Sequence, residues 1–273
     1  LSGPNVWNTG ATDFVDRVYA GDLRGNLWRF GNLAGTPTVT AMFQATDGTT
    51  AQPITAAPTV SRNPSNNDTW VYFGTGKYVS EADLSDTQVQ SWYGLIDRGV
   101  AIAGRNALQR VAITGEQTLA NGLGARVIDA VTTPSVNGWY IDLVSPLNGA
   151  EGERMVVPNI FQGLALIGTT RIPDNTSVCD PSGRGWIMAI NPFTGGRLNS
   201  TFFDLNNDGN FNNSDMSNGS VVSGLGLPSG PNNPIFVGNM MLTNMDNAES
   251  NVIKTNSSVL APARVSWREV VGD

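Results

Sequence analysis

Residues 17–30 read RVYAGDLRGNLWRF, and this stretch decides the fold class. Val18 alternates with Tyr19 on the first arm and Leu27 with Trp28 on the second, and a Gly-Asp-x-x-Gly-Asn turn joins the two arms. Alternation with a period of two places one face of each arm against a neighbouring sheet. The stretch therefore predicts a β-hairpin.

Apolar strand-like segments of similar character, most of them with aromatic residues, recur downstream, as expected when a supersecondary unit repeats. They lie at 70–78, 92–97, 138–143, 155–158, 163–169, 185–191, 201–204, 234–238 and 265–270. Short strands with Gly-rich turns favour a β-propeller over a β-sandwich, because radial repetition buries each sheet against the next blade. The segments make about four blades, the lower limit for closure. We therefore expect residues 1–273 to be the C-terminal part of an all-β propeller whose N-terminal remainder is absent.

The composition argues against several classes of function. The net charge is −7 and the only lysines are Lys77 and Lys254, so no basic stripe follows a phosphate backbone and no nucleic acid is expected as a partner. No apolar run reaches about 18 residues, so no direct membrane insertion is expected. Histidine is absent, so the chain cannot form a Ser-His-Asp catalytic site, a metal site with imidazole ligands or a site with a histidine general base. The chain is predicted not to be an enzyme.

The most specific motif is the stretch DLNNDGNFNNSD at 204–215. Its oxygen-bearing side chains fall at loop positions 1, 3, 5, 9 and 12, with glycine at position 6, which is the spacing of an EF-hand loop. Ca²⁺ takes six to eight oxygen ligands, and Gly209 permits the sharp turn between them. The predicted Ca²⁺ ligands are Asp204, Asn206, Asp208, Asn210 through its carbonyl, Asn212 and Asp215.

Two features separate this loop from an EF-hand. Position 12 is Asp215, where a longer Glu normally binds through both oxygens, although dockerin-type loops use Asp there. The flanks at 201–203 and 221–222 look like strands and not like the helices of an EF-hand. The alternative interpretation is a polar turn, since Asn, Asp and Gly favour turns without any metal.

Other candidate sites are weaker. Residues 74–77 read GTGK but lack the spacer and the following hydroxyl of a phosphate loop, so they predict a β-turn. Residues 224–228, GLGLP, predict a loop and not a dinucleotide cradle. Paired carboxylates in polar stretches are expected to be solvated and not catalytic. These pairs are Glu151 with Glu153 and Asp83 with Asp86.

Residues 16–30 closely resemble a signature of the PilC/PilY family of type IV pilus tip adhesins. Segments that look like the C-terminal domain of the same family follow in order at 53–58, 71–78, 86–88, 185–189 and 265–269. The resemblance implies a quinoprotein-like, modified seven-bladed propeller. It also implies a location outside the cell, at the pilus tip, reached through the periplasm. The implied partners are minor pilins and a host or abiotic surface, and the implied roles are pilus biogenesis, surface attachment and twitching motility.

The resemblance further implies that calcium acts as a switch on pilus retraction. The best-known calcium loop of the family lies just before the VYAGD signature, where this chain has Asn8, Gly10, Thr12 and Asp16. Only Asn8 and Asp16 serve easily as side-chain ligands. The calcium site is therefore expected at 204–215 instead.

Two other functions stay open at the level of sequence. One is a calcium-stabilised structural module of another surface protein. The other is a quinoprotein-type propeller enzyme, whose blades share the Gly-Asp-x-x-Gly-x-Leu pattern. Such enzymes usually carry a disulfide between adjacent cysteines, which the single Cys179 cannot form.

Overall fold

The regular secondary structure of the described residues is almost entirely β-strand, with a few short 3-10 helices. A computed structural model describes residues 1–9, 15–33, 35–133, 135–174 and 183–256. In chain order the strands are β1 (Asn5–Trp7), β2 (Arg17–Gly21), β3 (Asn26–Gly31), β4 (Thr38–Gln44), β5 (Thr59–Arg62), β6 (Thr69–Gly74), β7 (Ser91–Asp97), β8 (Gln109–Val111), β9 (Ile113–Thr118), β10 (Gly124–Ile128), β11 (Gly138–Asp142), β12 (Ile160–Gln162), β13 (Ala165–Ile172), β14 (Arg184–Ile190), β15 (Met216–Ser217), β16 (Ser220–Val221), β17 (Gly224–Leu227), β18 (Ile235–Val237), β19 (Met240–Asn244) and β20 (Ser250–Lys254). Short 3-10 helices lie at Glu81–Leu84, Arg105–Ala107 and Asn213–Asp215. No helix in the described ranges has the length and apolar character needed to cross a bilayer.

Four sheets and one small hairpin contain these strands. Sheet I has the order β1-β2-β3-β4, and sheet II has the order β5-β6-β7-β11-β8. Sheet III has the order β12-β13-β14-β17-β10-β9, sheet IV has the order β18-β19-β20, and β15 pairs with β16. Among the described strands, the only parallel neighbours are β8 and β11. The prediction of an all-β fold is confirmed.

Each sheet packs face to face on the next through its own apolar core. The core between sheets I and II contains Tyr19, Leu27, Phe43, Phe73, Tyr93 and Leu95. The core between sheets II and III contains Trp70, Trp92, Trp139, Leu166, Trp186 and Met188. The core between sheets III and IV contains Ile167, Ile187, Leu225, Met241 and Ile253, together with Phe202 and Phe203. Successive antiparallel sheets stacked in this way are the blades of a propeller.

The predicted aromatic strands are confirmed in part. The hairpin at 17–30 is the antiparallel pair β2–β3, and the segments at 70–78 and 92–97 contain the antiparallel pair β6–β7. The strands predicted at 155–158 and 201–204 are wrong. Both segments are rich in apolar residues, but each makes single bridges or none instead of a ladder. The strand predicted at 265–270 lies outside the described residues.

Sheets II and III exchange strands, which the sequence pattern did not indicate. Strands β9 and β10 follow β8 along the chain but lie in sheet III, beside β17. The chain then returns to sheet II as β11, which pairs with β7. The two blades are therefore interlocked by the chain path, and the sheets depart from a simple up-and-down order.

The Gly-rich segment at 224–228 contains strand β17 in the middle of sheet III, so the predicted loop is wrong. A Cβ atom on Gly226 would lie 2.9 Å from the ring of Trp186. One on Gly224 would lie 2.3 Å from the sulfur of Met188. Glycine is required here because large side chains of the neighbouring strand β14 occupy the space above β17.

Candidate calcium-binding loop

The loop at 204–215 connects β14 with β15 and is anchored on the end of sheet IV. The backbone N–H of Asp204 donates to the carbonyl of Lys254 at 3.0 Å. Phe203 forms an antiparallel bridge with Thr255 and is buried in the core between sheets III and IV. The backbone of Asp204, the first residue of the loop, is therefore held in place by sheet IV without any bound ligand.

The first half of the loop closes on the carboxylate of Asp204, which is 1% exposed. This carboxylate accepts backbone N–H donors from Asp208 at 3.1 Å and Gly209 at 2.9 Å. The side chain of Asn206 both accepts from the backbone N–H of Asp208 and donates to its carboxylate. The backbone N–H of Asn210 donates to the same carboxylate at 2.7 Å. Gly209 has a φ of +81°, which favours glycine. Positions 1, 3, 5 and 7 of the motif are thus brought together.

The second half folds back onto the start. Asp215 is also 1% exposed, and its carboxylate accepts from the backbone N–H of Leu205 at 2.8 Å and of Asn212 at 3.0 Å. Asn212 caps the 3-10 helix Asn213–Asp215 by accepting from the backbone N–H of Ser214 at 2.8 Å. Position 12 therefore returns to the neighbour of position 1, without the flanking helices of an EF-hand.

Neither buried carboxylate of the loop has an ionic partner among the described residues. Asp204 and Asp215 accept hydrogen bonds from backbone N–H groups, and no Lys or Arg lies within 4.0 Å of either carboxylate. A buried carboxylate normally has an opposite charge beside it, because removing an ion from water is costly. The loop thus holds negative charge that the surrounding described side chains do not neutralise.

One cation lies close to the exposed side of the loop. The ammonium of Lys254 is 3.4 Å from the point where a Cβ on Gly209 would lie. The exposed Asp208 has a lowered pKa, chiefly because the backbone N–H of Asn210 donates to it, and the charge of Lys254 adds to this effect. Lys254 is therefore positioned to compete with a bound cation.

The donor set of the loop fits Ca²⁺ in its chemistry. Within the described ranges, no three His, Cys, Asp or Glu side chains converge enough to hold a metal ion alone. A cation at 204–215 would therefore need the Asn side chains and the Asn210 carbonyl besides the carboxylates, which are the hard oxygen ligands that Ca²⁺ prefers. A carboxylate has about four lone-pair sites, and Asp204 and Asp215 each use two on N–H donors. Acceptor capacity remains on both.

The loop at 8–16 is described only at its ends. Gly10 and Thr12 lie outside the described residues. The carboxylate of Asp16 accepts from the backbone N–H of Thr9 at 3.0 Å and from its hydroxyl. Burial alone would raise the pKa of Asp16, but these two hydrogen bonds lower it. The expectation that the calcium site lies at 204–215 and not in this loop stays a prediction.

The phosphate-loop candidate at 74–77 is neither a phosphate site nor the predicted β-turn. Gly76 forms a parallel bridge with Ile54, and its N–H donates to the carbonyl of Pro53 at 2.7 Å. The ammonium of Lys77 binds the carboxylate of Asp83. The lysine that a phosphate would need is thus already paired.

Asp83 is fully buried, so the expectation that it is solvated is wrong. Besides Lys77, it accepts from the backbone N–H groups of Val79 at 3.0 Å and Ser80 at 2.9 Å. Burial alone would raise the pKa of Asp83, but these hydrogen bonds hold it well below its usual range. The carboxylate stabilises a turn and is not arranged for catalysis.

Glu153 is also buried, contrary to expectation. Arg126 binds it with two hydrogen bonds of 2.7 and 2.8 Å, and the same guanidinium binds Glu116 at 2.7 Å. The guanidinium also lies 4.0 Å from the centre of the Trp186 ring. Sequence spacing gave no signal for this cluster, because its members come from different strands and loops.

Several known proteins resemble this chain in sequence. A family model described as the PilY1 β-propeller domain matches residues 35–122. The chain is 47% identical over 272 residues to a type IV pilus biogenesis factor PilY1 homolog of Xylella fastidiosa, a match that covers 99% of this chain. It is 32% identical over 257 residues, 77% of the chain, to PilY1 of Pseudomonas aeruginosa strain PAO1. The chain belongs to the PilY1 family.

The PilY1 likeness extends to the fold. The crystal structure of the Pseudomonas aeruginosa PilY1 C-terminal domain matches with a TM-score of 0.74 at 24% identity, over 93% of this chain and 60% of that one. The β-propeller predicted from the aromatic repeats is thereby confirmed. The chain spans 22% of the length of each of these two PilY1 relatives.

Proposed function

We propose that this chain is a non-enzymatic part of a type IV pilus biogenesis factor that acts outside the cell, at the pilus tip. The observation that carries the proposal is the 47% identity over 99% of the chain to a relative named for that role. The protein would pass through the periplasm and contact minor pilins. It would support pilus biogenesis, attachment to a host or abiotic surface, and twitching motility.

The chemistry of the described residues supports a non-enzymatic role. The chain has no histidine. The buried carboxylates Asp83, Asp97 and Glu153 are each bound by Lys or Arg side chains. A carboxylate held in this way is a poor proton acceptor, because the neighbouring cation stabilises its charged form. These groups therefore stabilise blades and do not offer a general base.

We also propose that the loop at 204–215 binds Ca²⁺ through the side chains of Asp204, Asn206, Asp208, Asn212 and Asp215 and the carbonyl of Asn210. The support is the motif spacing together with two buried carboxylates that lack ionic partners among the described residues. With Asp at position 12 and amides at positions 3 and 9, we expect a dissociation constant on the order of 10⁻⁵ to 10⁻³ M, as in extracellular modules.

The pilus role can be tested in the bacterium that encodes the chain. A strain lacking the gene should lose surface pilin, measured by shearing and immunoblot, and should form no twitching zone. The wild-type gene and a control with the exposed Val79→Ala substitution should restore both. The Gly226→Trp substitution, which forces a ring against Trp186 in the core, should not. Normal pili and motility in the null strain would contradict the proposal.

A further inference from the structure

The chain contains four Asn-Gly pairs, and this dipeptide is the one in which asparagine most readily loses its side-chain amide. The pairs lie at 121–122, 137–138, 148–149 and 218–219. The reaction begins when the backbone nitrogen of the glycine attacks the carbonyl carbon of the Asn side chain. Glycine has no Cβ, so it leaves this nitrogen unhindered and lets the backbone rotate toward the side chain. The rate at each pair therefore depends on whether the fold holds the two reacting groups.

At two of the pairs the fold engages the nitrogen that would attack. The N–H of Gly122 donates to the carbonyl of Leu119 at 2.9 Å, and the N–H of Gly149 donates to the carbonyl of Ser145 at 2.9 Å. The side chain of Asn121 also donates a hydrogen bond of 3.1 Å to a backbone carbonyl. Both pairs must therefore break at least one hydrogen bond before they can react.

A third pair lies at the start of strand β11 inside sheet II. Gly138 is buried and lies opposite Leu95 of β7. A Cβ on Gly138 would lie 2.1 Å from the carbonyl oxygen of Gly94, so the backbone has no room to rotate within the sheet. The side chain of Asn137 is also held, because it donates to the carbonyl of Ala107 at 3.2 Å. This pair can react only if the start of β11 leaves the sheet.

The fourth pair forms the two-residue turn between β15 and β16, where Ser217 lies opposite Ser220. Asn218 and Gly219 are both exposed and have φ values of +48° and +73°, as in the type I′ turn that Asn-Gly favours. Within the part of the chain that the structure describes, no group forms a hydrogen bond with the Asn218 side chain or the Gly219 N–H. The two strands have two residues each and lie outside the four sheets, so the turn can deform at little cost.

We propose that the fold singles out Asn218 as a modification site, at which the chain converts itself to aspartate and isoaspartate. The Gly219 nitrogen bonds to the side-chain carbonyl carbon of Asn218, the bond from that carbon to the amide nitrogen breaks, and ammonia leaves with the proton of the Gly219 N–H. Water then opens the succinimide ring at either carbonyl. Opening at one carbonyl gives aspartate, which fits the same turn. Opening at the other gives isoaspartate, which adds a methylene to the main chain and cannot keep the two-residue turn.

Incubation of the full-length protein at mildly alkaline pH, in native buffer and in urea, tests the proposal. Digestion at acidic pH stops the reaction, and mass spectrometry gives the fraction converted at each of the four pairs. In native buffer Asn218 should convert about two- to tenfold faster than Asn148, since opening one hydrogen bond slows the reaction by that factor. Asn121 and Asn137 should be slower still. In urea the four rates should become similar.

Two results would overturn the proposal. One is a native rate at Asn218 that is no faster than the rates at the other pairs. The other is a difference between the pairs that persists in urea, because the local sequence and not the fold would then set the rates. An isoaspartyl methyltransferase gives an independent readout, since it methylates isoaspartate and not aspartate. Aged wild-type protein should be methylated at 216–221, whereas Asn218→Asp, which has no amide to lose, should not. Equal methylation of this segment in both proteins would contradict the assignment.

Discussion

Buried carboxylates in the blades and in the 204–215 loop are neutralised in different ways. In the blades, Asp83, Asp97 and Glu153 each bind an Arg or Lys side chain. In the loop, Asp204 and Asp215 are equally buried but bind only backbone N–H groups among the described residues. The blades therefore carry their own counter-charges. The loop lacks a side-chain counter-charge, and we expect its stability to depend on an external cation.

Asp97 shows what a built-in counter-charge does for the fold. It ends strand β7 of sheet II, and it binds Arg17 at 2.8 Å, Arg29 at 2.5 Å and the hydroxyl of Tyr19 at 2.6 Å, all from sheet I. One carboxylate thus joins two blades at any calcium concentration. Charge at a blade interface therefore gives permanent cohesion, whereas we expect the charge in the loop to respond to calcium.

The largest expected effect on stability comes from removing Asp97, the carboxylate that joins sheets I and II. Asp97→Ala leaves Arg17 and Arg29 without their carboxylate in a mostly buried place, and the cost of losing one partner of such a pair is about 3–5 kcal/mol. Urea unfolding followed by Trp fluorescence should show this loss equally with calcium and with chelator. The control is Asp68→Ala, which removes the half-buried partner of the exposed Arg98 and should cost less than about 1 kcal/mol. Equal losses for the two variants would contradict the assignment.

The second prediction concerns pH. Burial alone would raise the pKa of Asp97, but hydrogen bonds from Tyr19 and Gly99 and the charges of Arg29 and Arg17 lower it below its ordinary value of 3.8. A carboxylate with a lowered folded pKa stabilises fully above its unfolded pKa and loses that effect as the pH falls through the folded pKa. In chelator, the wild-type free energy of unfolding should therefore drop below about pH 4 more steeply than that of Asp97→Asn. If the free energy of unfolding falls equally with pH in the wild type and in Asp97→Asn, the Asp97 carboxylate does not contribute this pH dependence.

The smallest effect is expected from the cation beside the loop. Lys254→Met removes a positive charge near the exposed Asp208, and water screens such exposed charge pairs so that each contributes little. Calcium should therefore bind about two- to fivefold more tightly in isothermal titration calorimetry. The matched control Arg24→Met removes an exposed charge in the turn between β2 and β3 and should leave the affinity unchanged. A weaker affinity in the Lys254 variant would mean that the lysine supports the loop and does not compete.

The sequence predicted the aromatic strands because period-two alternation and Gly-rich turns are local signals. It did not predict that β9 and β10 leave sheet II for sheet III, since alternation does not specify which strand becomes the neighbour. The prediction of a loop at 224–228 was wrong because glycine is typical of loops. The glycines of β17 are required because Met188 and Trp186 on the adjacent strand β14 occupy the space where larger side chains would lie.

The same limit applies to the candidate sites. The loop at 204–215 could be found because all its candidate ligands lie within one short motif. Backbone N–H groups close the loop on its Asp carboxylates, and no three acidic side chains of the described residues converge on one point. That Asp83 and Glu153 are buried could not be predicted from the sequence. Glu153 depends on Arg126, which lies 27 residues away, and no spacing rule links them. Whether metal binds at 204–215 stays a prediction.

A thermal melt in excess chelator and in millimolar calcium tests the central claim most directly, with wild-type protein and Asp208→Ala compared. Asp208 is exposed, so in chelator the variant should unfold at nearly the same temperature as the wild type. At 1 mM free calcium the wild type should gain about 2.7 kcal/mol if the dissociation constant is about 10⁻⁵ M and about 0.4 kcal/mol if it is about 10⁻³ M, and the variant should gain nothing. Equal wild-type midpoints in the two buffers, or an undiminished shift in the variant, would mean that the loop is only a polar turn.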